Sequence, residues 1–434
     1  MMVKKNIFNL AKKLWPIHRT IVGPGIRSSL KIIRSEQNLL KIKSMKTGHR
    51  AYDWKIPHEW KIKNAWIKYK NKKIIDYKKN NLHIVGHSEG VNKKIKLKYL
   101  KSRLHFIKKL PNAIPYVTSY YKKYWGFCLS YNAYKKLLNG KYHVFVDSKF
   151  KKGNLNYGEL VLKGKTKKEI LFSTYICHPS LANNEISGPC VNTFLSKYLQ
   201  KIPNRYYTYR FIFIPETIGS IAYISKNLVN LKKNLLAGFN ISCVGDERAY
   251  SYISSRKGDT VADYVAKKIL FSTDKKYKKY DWFHRGSDER QFCSPGVDLP
   301  FCTISRSKFG EYKEYHNSLD VLGKVVTGKG LTTSLELLKK IVIFFEKNYF
   351  YNSTFKCEPF MSKRNLYETI SIAKKYISGR RGKTSTEILM NVLSLCDGKT
   401  DLETICKKNK ISKLKLKKTI EILEKNKLIY KTKL

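Results

Sequence analysis

The chain has 434 residues, 42% hydrophobic and 13% aromatic, enough for two or three domains with a large core and too apolar for a disordered chain. Its 87 Lys and Arg against 32 Asp and Glu leave a net charge of +55. These basic residues are spread along the whole length beside abundant Ile, Asn and Tyr, so the excess reads as compositional drift. It predicts salt-sensitive adhesion to polyanions without identifying a nucleic-acid site. No apolar run is long enough for a transmembrane helix, and Asn9, Lys12 and Lys13 interrupt any signal-peptide core, so a cytoplasmic location with no membrane partner is expected. Nine cysteines without a CxxC pair exclude a zinc knuckle and a disulfide framework, and read as buried thiols.

In chain order, Ile7, Leu10, Ala11 and Leu14 recur at helical spacing, followed by the turn-rich 19-RTIVGPGIR-27. Residues 51–115 carry Trp54, Trp60 and Trp66 among short β-like runs and Lys-rich turns, which predicts a small β-rich insert. From about 140 to 345, short apolar strands alternate with amphipathic helices, the pattern of a mixed, mostly parallel sheet covered by helices. A helix is predicted over 187–201, with Val191, Phe194, Leu195, Tyr198 and Leu199 on one face and the polar loop 181-LANNEIS-187 before it. A basic, glycine-containing stretch, 378-SGRRGKTS-385, reads as a linker. Beyond it three helices are predicted, with capping boxes at Thr384/Glu387 and Thr400/Glu403 and a cap at Ser412. A short strand at 428–430 completes a winged-helix-like module over 384–434.

Three polar residues follow strand-like runs: His178 after 170-ILFSTYIC-177, Glu216 after 209-YRFIFIP-215 and Asp246 after 235-LLAGFNISCVG-245. His316 sits in the loop 315-YHNSLD-320. Ligands bind at the carboxyl ends of strands in open α/β sheets. Two imidazoles and a carboxylate can hold zinc with a position left for water, and a second carboxylate can take that water's proton. Each residue also has an ordinary role, as a core or loop histidine, a cap, or a glutamate at a helix start. Cys177 beside His178 invites a Cys–His dyad, which strand alternation argues against. Asp288 and Arg290, in 285-RGSDERQFCSPG-296, suit either substrate positioning or a structural ion pair.

The blocks 173-STYICHPSLANNEISGP-189, 213-FIPETIGSIAY-223, 285-RGSDERQFCSPG-296 and 310-GEYKEYHNSLD-320 resemble an aminopeptidase-like family of bacterial and archaeal proteins, often encoded among polysaccharide-biosynthesis genes. That family is similar in turn to the co-catalytic zinc aminopeptidases and glutaminyl cyclases. The likeness covers roughly residues 1–350. It implies a three-layer α/β zinc-peptidase-like core over 1–50 and 116–350, an insert at 51–115 and a C-terminal winged helix-turn-helix. It also implies zinc ligation by His178, Asp246 and His316 and a general base at Glu216. Asn183 stands where a bridging aspartate is expected and Thr217 where a second metal-ligating glutamate is expected. One zinc, held by His178, Asp246, His316 and weakly by Asn183, is therefore expected in place of two.

The function expected is a mono-zinc hydrolase acting on a peptide or amide-bearing small molecule, with a link to surface polysaccharide biosynthesis. The alternative is a catalytically inactive binding or regulatory protein acting with its winged-helix module. The basic start of the last helix, 413-KLKLKK-418, suits phosphate contact or a solvated face, and the solvated face is preferred.

Overall fold

The computed structural model describes residues 2–367 and 385–434 and divides into two compact units, residues 1–341 and 342–434. In the first, eight runs of strand-forming sequence make one sheet: β1 (Lys41–Lys46), β2 (Asn154–Leu162), β3 (Glu169–Tyr175), β4 (Thr208–Ile214), β5 (Leu235–Ile241), β6 (Ser251–Ile253), β7 (Lys278–Tyr280) and β8 (Phe301–Ser305). Their spatial order is β1-β2-β4-β3-β5-β8-β6-β7. The central strands β4, β3, β5 and β8 are parallel, while β1 and β2 add antiparallel and β6 turns back against β8. Every residue of β3 is buried, so both faces are covered, as expected for a central parallel strand.

The chain leaves β3 towards β4 on one side and leaves β5 towards β8 on the other. The adjacent pair β3 and β5 is therefore the switch point of the sheet, where a crevice opens beyond the carboxyl ends. Helix α1 (Met2–Leu14) buries the four apolar residues of its stripe, and α2 (Pro24–Glu36) starts on the proline that ends the preceding turn. Helix α3 (Ser187–Gln200) packs against β3 and β4, with Val191, Phe194, Leu195 and Leu199 buried as the periodicity predicts. The predicted loop before it holds a single π-helical turn over Ala182–Ile186, wholly buried and continuous with α3.

The β-rich insert is larger than the expected 51–115. Its four-stranded antiparallel sheet takes Glu59–Tyr69, Lys72–Asp76, Val91–Lys96 and Lys141–Lys151, so it extends to residue 151. The longest strand pairing joins 59–69 to 141–151, and Val144 and Val146 share a core with Trp60, Ile67 and Phe127. The expected boundary failed because 141–151 alternates apolar and polar residues just as the core strands nearby do.

In the second unit, Ser385–Leu393, Leu402–Asn409 and Lys413–Lys425 are helical, and Leu416, Ile420 and Leu423 are buried as their spacing predicts. Ser412 caps the third helix. The second begins on Asp401, whose carboxylate accepts from the backbone of Glu403 and Thr404, so the expected cap at Thr400 is displaced by one residue. The final strand, Ile429–Thr432, pairs with Phe350–Ser353, which places residues before 384 in this module. Residues 378–384 of the expected linker, and Thr384 of the first capping box, lie outside the described residues.

Gly188 lets α3 start close against the sheet: a Cβ there would collide with the Ile241 carbonyl and the Thr174 hydroxyl. Gly188→Ala is expected to lower stability by about 1–3 kcal/mol, the usual cost of overpacking, measured as a shift in chemical denaturation midpoint.

Candidate active site

The parallel strands end on one edge and deliver their following residues to a common mouth: His178 after β3, Glu216 after β4 and residues 242–246 after β5. Ser180, Thr217, Cys243 and His316 all take positive φ (41°, 64°, 53° and 56°). Left-handed backbone at β-branched or bulky residues is costly, and these four lie in loops around the mouth.

His178 is 5% exposed and held on one ring nitrogen, with the other facing Glu216. Nδ1 lies 2.6 Å from Glu185 Oε2, and Nε2 lies 3.6 Å from Glu216 Oε2. The other oxygen of Glu185 accepts from the Cys177 backbone N–H. Arg19, also buried, donates from Nε to the His178 carbonyl at 2.9 Å and lies 3.8 Å from Glu185. Burial disfavours a charged imidazole, but the Cys177 thiol and the Glu185 carboxylate outweigh it and hold the His178 pKa well above its ordinary value. Burial pushes the Glu216 carboxyl up, against the opposing pull of His178. Glu185 was not among the expected site residues. Its place in the polar loop between β3 and α3, seven residues after His178, was the available signal.

Cys177 Sγ does contact His178 Nδ1, at 3.5 Å, contrary to the alternation argument. β3 ends at Tyr175, so strand geometry no longer governs residues 177 and 178. The contact is not a nucleophilic dyad: Nδ1 is engaged by Glu185, and burial pushes the thiol pKa up to about 11.

His316 faces His178 with ring centroids 5.2 Å apart, and Tyr116 lies edge-on to both. Tyr315 stacks on the His316 ring at 3.8 Å. His316 Nε2 is buried with no hydrogen-bond partner, and burial followed by the charge of His178 drives its pKa well down, leaving a neutral imidazole. His178, Glu216, Thr217 and His316 line a cavity of about 360 Å³ with Tyr116, Tyr120, Trp54 and Arg290. Arg290 donates to Thr217 Oγ1 at 2.7 Å, while Asp288 accepts from the Thr217 N–H and the Ser220 hydroxyl, so these two residues serve the cavity wall and not an ion pair with each other.

Asn183 and Asp246 are brought together but do not line this cavity. The Asn183 amide donates to Asp246 Oδ2 at 2.9 Å and accepts from the Gly245 N–H. Asp246 also accepts from the Ser307 backbone and hydroxyl and from Arg248. Both carboxylate oxygens and both ends of the amide are thus occupied by protein donors and acceptors. Among the described residues, the one tight cluster of Cys, His and carboxylate atoms is Cys177, His178 and Glu185, where Glu185 is already bonded internally.

Glu216 and His316 lie outside that tight cluster, so a cation at the cavity would draw on His178 together with these more distant donors. A carboxylate on Nδ1 fixes the His178 ring so that Nε2 faces the cavity, the usual support of a metal-binding imidazole. The unpartnered Nε2 of neutral His316 is a second free nitrogen donor, and Glu216 is a carboxylate beside the first. Thr217, bonded to Arg290, offers no carboxylate for a second ion.

Residues 8–348 match a family model described as a domain of unknown function, DUF4910, and 349–431 match a winged helix-turn-helix model. The chain belongs to the DUF4910 family. This DUF4910 chain is 38% identical over 425 residues to a Clostridium acetobutylicum protein named "Putative polysaccharide biosynthesis protein with aminopeptidase-like domain", covering 98% of this chain and 95% of that one. It also resembles the crystal structure of a putative peptidase from Clostridium acetobutylicum, with TM-score 0.82, 36% identity and coverage of 99% and 96%. A zinc aminopeptidase from Bacillus subtilis shares the fold at TM-score 0.57 and 14% identity, over 79% of this chain and 93% of that one. The core is thus a mixed α/β aminopeptidase-like domain followed by a winged helix-turn-helix, as the sequence motifs implied. Among the described residues no helix is long and apolar enough to cross a membrane.

Asp320 supports the site from below, accepting the backbone N–H groups of Asn183 and Asn184. Burial lifts its pKa from 3.8 to about 7. Between those values the folded chain holds a proton that the unfolded chain has released, so this contribution is full below about pH 4 and falls as pH rises through 7. The stability advantage of the wild type over Asp320→Asn is expected to shrink between pH 5 and pH 8, on the order of a few kcal/mol, in urea denaturation at each pH.

Proposed function

We propose that this protein is an aminopeptidase-like hydrolase that cleaves a peptide or amide bond at the His178–Glu216–His316 cavity, using a single zinc. The observation that carries the reading is the pairing of an oriented imidazole with a half-buried carboxylate: His178, fixed on Nδ1 by Glu185, presents Nε2 at 3.6 Å from Glu216. His178 Nε2 and His316 Nε2 would hold the ion, with Glu216 beside it. When bound, the zinc supplies a Lewis acid for the amide carbonyl and lowers the pKa of an attacking water.

This chain's own residues carry the rest. Glu216, its pKa raised by burial, accepts a proton from the attacking water and returns it to the departing amine. Arg290, fixed on Thr217, places a positive charge on the cavity wall where a developing oxyanion or a substrate carboxylate can be met. Tyr116, Tyr120 and Trp54 wall the cavity with aromatic surface, restricting water. The ligand roles expected of Asp246 and Asn183 would require breaking their mutual bond and the Ser307 contacts, so the proposed ion is held without them. The substrate is a peptide or an amide-bearing sugar precursor, the latter drawn from the name of the Clostridium relative.

A second reading is favoured by the Asn183–Asp246 bond itself, which replaces a cation between two site loops by a hydrogen bond. Under it the cavity binds a ligand without turning it over, and the winged module, whose third helix begins with Lys413, Lys415, Lys417 and Lys418, contacts nucleic acid or a partner protein.

Screening aminoacyl anilides and N-acyl amino sugars with the zinc-supplemented protein separates the two. Glu216→Gln is expected to lower turnover at least about 10²-fold while zinc remains bound. A fully active Glu216→Gln variant would refute the base assignment, and a wild type that binds but never cleaves these compounds would favour the second reading.

A further inference from the structure

Few charges line the His178 chamber. Among the described residues lining it, Glu216 is the one carboxylate and Arg290 the one arginine or lysine. A substrate with a free ammonium group, taken into a cavity of about 360 Å³, needs an acidic partner, because a charge removed from water is costly unless paired. The lining offers none beyond Glu216, which the reaction needs as its base. Glu185 and Asp246, in the surrounding loops, stand outside the lining and are already occupied by protein donors.

Arg290 is in the opposite position. It is exposed, and the hydrogen bond that fixes it runs to a neutral group, the Thr217 hydroxyl, at 2.7 Å. Thr217 is itself anchored: from its left-handed backbone (φ 64°) the N–H donates to Asp288 Oδ1 at 2.8 Å. The two acids just before Arg290 are turned elsewhere. Glu289 accepts from Gly286, Ser287, Asn240 and Thr303, and Asp288 accepts from Thr217 and Ser220. Burial, then the charge of Glu216, push the Asp288 pKa up to about 8, so at neutral pH it keeps its proton and does not offset the guanidinium. Arg290 thus presents a held positive charge with donors left over for a planar carboxylate.

We propose that Arg290 sets the substrate class of this chamber as N-acyl amino acids, amides whose amine half ends in a free carboxylate and which carry no free ammonium. The chemistry of this inference rests on the hydrolase reading; the binding preference does not. Arg290 is fixed to the residue that follows Glu216, beyond the end of β4, whereas Tyr116 lies edge-on to His178 and His316 and is bonded through its hydroxyl to Tyr120. The carboxylate at Arg290 therefore belongs to the half whose nitrogen Glu216 protonates, and the acyl group meets the tyrosine wall. Hydrolysis adds water to the acyl carbon and breaks the C–N bond, with Glu216 passing the water's proton to the departing nitrogen. The products are a carboxylic acid and a free amino acid.

The probe is 2-methyl-4-oxopentanoate, which is N-acetylalanine with a CH2 in place of the amide N–H and so cannot be hydrolysed. This acid, its neutral primary amide and L-alaninamide are titrated by calorimetry into full-length, zinc-equilibrated protein. The acid is expected to bind at least about ten-fold more tightly than its amide, a preference that falls to about equal binding in Arg290→Gln and is partly kept in Arg290→Lys. A merely structural role would weaken acid and amide alike. That outcome, or L-alaninamide binding as tightly as the acid, would overturn the assignment. The hydrolase reading is checked apart, by release of alanine from N-acetyl-L-alanine. Selective binding of the acid without such release would support the role of Arg290 and remove the hydrolase reading. Cleavage of L-alaninamide in preference to N-acetyl-L-alanine would keep the hydrolase and overturn the role of Arg290.

Discussion

The buried carboxylate of Glu185 is the interaction on which the rest of the site depends. It bonds the His178 imidazole, the Cys177 backbone and the neighbourhood of Arg19 at once, in a place from which water is excluded. An unpaired carboxylate there would cost several kcal/mol, so the three partners and the carboxylate hold each other in place. The π-helical turn Ala182–Ile186 carries Glu185 back to Cys177 and His178, and Gly188 allows α3 to start close against the sheet. With Nδ1 engaged, His178 can present only Nε2 to the cavity, opposite Glu216 and His316.

Electrostatics explains why the remaining loops look as they do. A two-cation site needs a bridging carboxylate and an acidic ligand for each ion, since neutral groups cannot hold two dications at close range. Here an amide, Asn183, faces Asp246 and joins it directly, while Arg290 fills the neighbourhood of Thr217 with a fixed guanidinium. What stays open is the pair of imidazole nitrogens, one oriented by Glu185 and one left unpartnered on His316.

Much of this was legible in the sequence because it is periodic or local. The α1 stripe, the α3 face, the strand-like run of β3 and the Ser412 cap follow from spacing and side-chain chemistry, and His178 stood out because it follows that run. The insert boundary was not legible, because 141–151 has the alternation of any strand and its partner, 59–69, is more than 70 residues away. Nor could spacing reveal that Asn183 and Asp246 would bond each other, since that contact crosses 63 residues. Glu185 was hidden for the opposite reason: it lies close in sequence, but its approach to His178 depends on a turn that has no propensity signature.

The claim that a single cation is held by the two histidines, without Asn183 and Asp246, is tested most directly by metal content. Elemental mass spectrometry of purified, zinc-equilibrated protein is expected to give about one zinc per chain, lost in His178→Ala and His316→Ala and retained in Asp246→Asn. Zinc that survives both histidine substitutions, or that disappears with Asp246→Asn, would contradict the account.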